Sequence, residues 1–330
     1  MPSFFRRVRF ATTLVAICGC LVPPQLWADS YVWTGGGTAT APLGGNFSVD
    51  GNWLGGDAPP GLTLPDAPTF GGSGNSGYAS INNLALTPPE LSSLTFNSTA
   101  ATAVILRGAQ LSFSGTPQIV QSGTGQVLVE NDLQLNNPLT LRGTAAGIVS
   151  LSGVISGSGT GITKSEASTY VLRGLNTYSG TTTIGAGTLI ASGHVKSGES
   201  GALGNAPSSV ALNGGALYLA GQAVMSRSID VGGAATFGNN TIGNVVMTGD
   251  ILYGSAVALT LNSVTGGSLQ IDGALSGAGS VVIGSSTTFA GSVRMTAGNN
   301  YTGATTLTNG RLSIGAHSTY VGSSSCADDI

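Results

Sequence analysis

Two stretches far apart in the chain repeat one another, and this limits the fold more than any other feature. "GVISGSGTGITKS" at 153–165 and "GALSGAGSVVIGS" at 273–285 share glycines at their first, fifth and seventh positions and a serine at the fourth. Each precedes a second shared block. In it Asn176, Tyr178, Gly180, Thr182, Thr183, Gly187 and Leu189 match Asn299, Tyr301, Gly303, Thr305, Thr306, Gly310 and Leu312. Shorter echoes fill the interval: "VSLSGVISG", "VVMTGDILYG" and "LQIDGALSG" restate one strand-and-turn theme. A unit this short cannot bury its own apolar side, so copies must stack to share one core.

The repeated segments are brief, alternate apolar and polar residues, and end in Gly, Asn or Ser, which reads as strand, turn, strand throughout. No amphipathic helix of useful length follows the N-terminal segment. Glycine, 53 of 330 residues, disfavours helix and supplies corners with positive φ. The prediction is an all-β chain, a parallel β-helix (β-solenoid), over 29–321, with repeat copies near 153–193 and 273–315 and a disordered or truncated tail at 322–330. Composition agrees, because only 8% of residues are charged, against roughly 25% in ordinary soluble domains. Stacked coils bring equivalent side chains about 4.8 Å apart, so charge ladders repel while Thr, Asn, Val and Ile ladders pair or pack.

Residues 1–28 read as a cleaved signal peptide. Arg6, Arg7 and Arg9 form a basic region, "FATTLVAICGCLV" the apolar stretch, and Ala28 the small residue before the cut. Cys20 in "ICGC" is the rival lipidation site. A secreted or cell-surface location follows, with no transmembrane segment in the mature chain. Eight basic residues then face fourteen acidic ones, and Arg107, Arg142, Lys164, Arg173, Lys196, Arg227, Arg294 and Arg311 lie singly along the sequence. Nucleic acid is thereby disfavoured as a partner. Only Cys326 survives signal removal, so no internal disulfide forms, and Cys326, His194 and His317 do not make a zinc site.

The rhythm resembles the autotransporter-associated β-strand repeat found in exported passenger proteins. Gly153, Ile155, Ser156, Gly157 and Gly159 open that pattern, Ile162, Thr163 and Lys164 follow, and Leu172, Gly174, Asn176, Thr177, Tyr178, Gly180, Thr183, Ile184, Ala186, Gly187, Thr188 and Leu189 complete it. The second copy lacks the lysine and has Asn309, Gly310, Arg311 and Leu312 where the pattern has Ala-Gly-Thr-Leu. "GALGNAPSSVALNGGALYLAG" at 201–221 resembles the usual continuation, and Trp33, Asn52, Trp53, Gly55, Gly56 and Pro59 resemble the entry of large secreted repeat proteins. The resemblance implies a right-handed parallel β-helix exported by a Gram-negative-type bacterium, with a structural or adhesin-like passenger role. Partners so implied are host surfaces, extracellular matrix or glycans. The chain has no stretch that reads as an outer-membrane barrel, so a truncated autotransporter is one expectation.

The alternative is a carbohydrate-active β-helix, a lyase or hydrolase working with carboxylates on one face. Asp230, Asp250 and Asp272 recur at about one coil's spacing. Aligning Gly153, Gly249 and Gly273, however, sets Asp272 opposite Thr248 and Asp250 opposite Ala274, two positions apart, with no Lys, Arg or His beside them. Trp33 and Trp53 fit better as caps on the first coil than as sugar platforms. A calcium roll needs an acid in nearly every repeat, which "NTYSGTTTIGAG" and "NNYTGATTLTNG" lack. Tyr178 and Tyr301 are expected to pack equivalent corners, with Asn176 and Asn299 bonding turn backbone. No catalytic, cofactor-binding or metal-binding residue is expected, and no cofactor.

Overall fold

The computed structural model describes residues 102–315 continuously, preceded by 67–71, 79–82 and 90–99 and by the short strands Val32–Trp33 and Gly44–Asn46. The signal segment, Trp53, His317 and Cys326 lie outside these residues. Every strand pairing between named strands is parallel, from Val32–Trp33 against Thr69–Phe70 to Ser292–Met295 against Arg311–Ile314. The chain winds through a 14-stranded, a 12-stranded and a 5-stranded sheet, here called the first, second and third. This is the predicted all-β solenoid. Among the described residues the one helical element is the 3-10 turn Thr287–Phe289, and no helix is long and apolar enough to cross a membrane.

Period-two alternation puts one side of each strand into the lumen, and register then stacks like on like. In the second sheet Val104, Val127, Val149, Tyr170, Leu189, Leu217, Phe237, Leu261 and Ile283 succeed one another inward, none more than 2% exposed. The first sheet answers with Ile119, Leu141, Lys164, Ile184, Leu212, Val231 and Tyr253. These ladders form one continuous core, so each coil rests chiefly on the coils above and below it.

The second shared block behaves as its residues suggested. Asn176 Oδ1 accepts the Ile155 N–H at 2.8 Å and Asn299 Oδ1 the Leu275 N–H at 2.9 Å. Tyr178 pairs its hydroxyl with Thr182, and Tyr301 with Thr305. Both tyrosines are buried. The corners are equivalent locally but occupy different sheets. Ile162–Lys164 and Thr182–Ile184 lie in the first sheet, whereas their counterparts Ser280–Ile283 and Thr305–Leu307 lie in the second; Thr169–Leu172 lies in the second and Ser292–Met295 in the third. The second copy is thus rotated by one face.

Coil lengths explain the rotation. Register gives 23 residues from Leu139 to Ile162, 20 from Ile162 to Thr182, 28 from Thr183 to Ala211, 19 from Val210 to Ile229 and 24 from Ile251 to Leu275. The 28-residue coil carries the extra chain of 193–209. Its first leg joins the coil ahead, with Val195 bridging Met225. Its second leg turns back on the coil behind, where Gly201 bridges Asn176 and the Asn205 N–H reaches the Tyr178 carbonyl at 3.0 Å.

Candidate interaction surface

The three aspartates singled out by spacing are held apart. Asp230 stands exposed on the outside of the first sheet, between Ala211 and Leu252. Asp250 Oδ1 accepts the Ala274 N–H at 2.9 Å, as Asp132 accepts that of Val154 at 2.8 Å, so both serve as side-chain caps for the next coil. Asp272, at the border of the third sheet, accepts from Gln270 Nε2 at 2.8 Å and from the Thr296 hydroxyl. Asp250 and Asp272 fall at different register positions, because Met247 faces Ile271 and Ile251 faces Leu275 on either side of them. Among the described residues no three His, Cys, Asp or Glu gather as a metal site. His194 Nδ1 accepts the Val224 N–H at 3.0 Å, which ties the 193–209 excursion to the following strand. Trp33 lies in a strand paired with Thr69–Phe70.

Two of the eight scattered basic residues are not at the surface. Lys164 is fully buried within an aliphatic ladder, between Leu141 and Ile184. Its ammonium donates to the carbonyls of Ser165 at 2.6 Å, Glu166 at 2.7 Å and Ala186 at 3.2 Å, and lies 5.7 Å from the Tyr170 ring centre. Loss of hydration pulls its pKa down to about 8, although nearby Glu166 opposes the shift. Glu166 is the described non-glycine residue with positive φ, 60°, and it pairs with Arg142 at 3.1 Å. Lys164 is therefore a corner clamp. Arg227, also fully buried, donates Nη1 to the Leu203 carbonyl at 2.6 Å and Nε to that of Ser208 at 3.0 Å. It pins the 28-residue coil. Only "ITK" within the resemblance marked Lys164 beforehand; nothing in the sequence marked Arg227.

What remains for contact with other molecules is the outside of the sheets. The first sheet's outer row runs Gln118, Thr140, Thr163, Thr183, Ala211, Asp230, Leu252, Ser276, Asn300. The third shows Val224, Val246, Gln270, Arg294, Ser313. The second sheet carries two rows. One is Ile148, Thr169, Thr188, Ala216, Thr236, Thr260, Val282, Thr306; the other is Ile105, Leu128, Ser150, Val171, Ile190, Tyr218, Gly238, Asn262. Neither contains a charge. Exposed Arg107, Glu130 and Arg173 border the strip two residues farther along their chains.

The far end of the strip is covered by the protein itself. After Ile283 the chain folds over it, and Phe289 stacks on Tyr218 with ring centres 5.5 Å apart and planes 7° from parallel. Asn262 Nδ2 donates to the Tyr218 hydroxyl at 3.1 Å and to Ser285 Oγ at 2.9 Å, while Ser285 N–H returns to Asn262 Oδ1 at 3.0 Å. Gly238, lying between Tyr218 and Asn262 in the row, leaves the space beneath the ring open.

No family profile, no curated protein and no solved structure matches the chain.

Proposed function

We propose that this protein is an exported, extended scaffold that works by adhesion, not by catalysis. The observation carrying this reading is the use of its carboxylates: Asp132 and Asp250 cap neighbouring coils and Asp272 is held by Gln270 and Thr296, while the broad, regular surfaces are the outer rows of the sheets. The solenoid architecture supports it, since stacking extends a surface without building a cleft. Export rests on the layout of residues 1–28, and the passenger-like role on the repeat resemblance.

Replacing Asp230, Asp250 and Asp272 together by Asn tests it. Asn keeps an acceptor oxygen at each cap, so unfolding free energy should change by less than about 1 kcal/mol, and retention on surfaces should stay at the wild-type level. If the wild type depolymerises a glycan and the triple variant loses that rate by about a hundredfold or more, the molecule is an enzyme and the scaffold reading fails.

A further inference from the structure

We propose that the outer face of the second sheet is a docking strip for a neutral polysaccharide, which lies along the rows from Ile105 to Ile190 and Ile148 to Thr188 and ends at the Tyr218–Phe289 stack. The inference rests on the adhesive reading and names the partner.

The chemistry of the strip selects the ligand. Its open part alternates aliphatic side chains, Ile105, Leu128, Ile148, Val171 and Ile190, with the hydroxyls of Ser150, Thr169 and Thr188. A sugar ring has the matching arrangement, an apolar C–H face rimmed by hydroxyls. Absence of Lys and Arg from both rows removes the usual means of holding carboxylated or sulfated glycans. The rows are straight and in register, with spacings of about 4.8 Å between coils and about 7 Å between rows, which suits a flat, linear partner. Phe289 lying flat on Tyr218 shows that the far end already accepts a planar, largely apolar ring.

Area argues against a second copy of the chain as the occupant. The open strip measures about 24 by 12 Å, roughly 300 Å², where a stable protein pair buries about 800 Å² on each side. A long polymer needs no such area from one molecule, because many weak contacts along it add.

The full chain should be retained on microcrystalline cellulose or chitin and pass through immobilised polygalacturonate. Thr188→Lys with Ile190→Lys places two charges on the strip and should cut retention at least about tenfold, because each must be stripped of water under the ligand. Thr163→Lys with Thr183→Lys, on the outer row of the first sheet, should leave retention unchanged. Circular dichroism confirms folding; if the strip variant unfolds, Thr188→Lys alone and Phe289→Ala replace it, each expected to weaken retention several-fold. Failure of the wild type on both neutral polymers, retention only on polygalacturonate, or undiminished retention of the strip variants overturns the proposal. So does a dimer in sedimentation that the strip variant dissociates, since a second copy would then be the occupant. Unchanged retention of the strip variant on a neutral polymer leaves the scaffold reading standing, whereas release of soluble sugar would sink that reading instead.

Discussion

Gly187→Ala is expected to cost about 4 kcal/mol, while the same change at Gly159 costs about 1–2 kcal/mol. The two glycines have nearly the same backbone conformation, φ 67° and φ 70°. Both changes therefore place a Cβ in the left-handed region and incur the same conformational strain. They differ in what surrounds them. A Cβ at Gly159 meets nothing within 4 Å, whereas at Gly187 it would lie 2.1 Å from the Glu166 carbonyl oxygen, 2.7 Å from that of Ser168 and 2.6 Å from Lys164 Nζ. The coil containing Gly187 would have to lift off the corner that Lys164 clamps. Because stability in a solenoid is carried by neighbouring coils, the loss should centre on 160–190 and appear there first in limited proteolysis. Urea titration of the two variants measures the difference; equal losses would mean that coil contact at this corner is loose.

That glycine shows how much of the fold could be read in advance. Gly187 and Gly310 match in the two repeat copies, and both adopt positive φ, 67° and 85°. Likewise the Asn-to-backbone bonds and the Tyr–Thr hydroxyl pairs were legible, since they are local and depend on spacings of four residues or on one adjoining turn. The misregister of Asp250 and Asp272 was legible for the same reason. Rotation of the second copy by one face was not, because a face assignment accumulates every coil length between the copies, and one 28-residue coil among coils of 19 to 24 is enough to shift it. Lys164 and Arg227 were hidden differently. A polar residue at a lumen position is compatible with the strand pattern only when backbone carbonyls converge on it, and that convergence comes from turns in separate coils. The second sheet's uncharged strip also needed register, since its members are about 20 residues apart in sequence and none is unusual alone.

Stability should rise with pH from about 8 to 10 and then fall. Lys164 sets the first limb. Its pKa is about 8 in the folded protein, below the ordinary 10.5, chiefly because burial strips the ammonium of water. Between those values the unfolded chain binds a proton that the folded one has released, so the folded state gains with pH at about 1 kcal/mol per unit or less. Below pH 8 both states carry the proton and the cost of burying it is constant. Tyrosines set the second limb. Burial holds Tyr178 up to about 12 and raises Tyr170, Tyr218 and Tyr253 as well. Above pH 10 the unfolded chain sheds these phenolic protons while the fold retains them, and stability declines. Urea unfolding at half-unit steps from pH 7 to 11.5 should trace this maximum. Lys164→Met should be less stable at pH 7 by about 3 kcal/mol, since the carbonyls of Ser165, Glu166 and Ala186 lose their donor. It should also abolish the rise while keeping the alkaline fall. A wild-type curve that falls steadily from pH 7, or a Met variant that still rises, would mean that the Lys164 ammonium keeps its proton through this range and that its carbonyl partners outweigh the water it has lost.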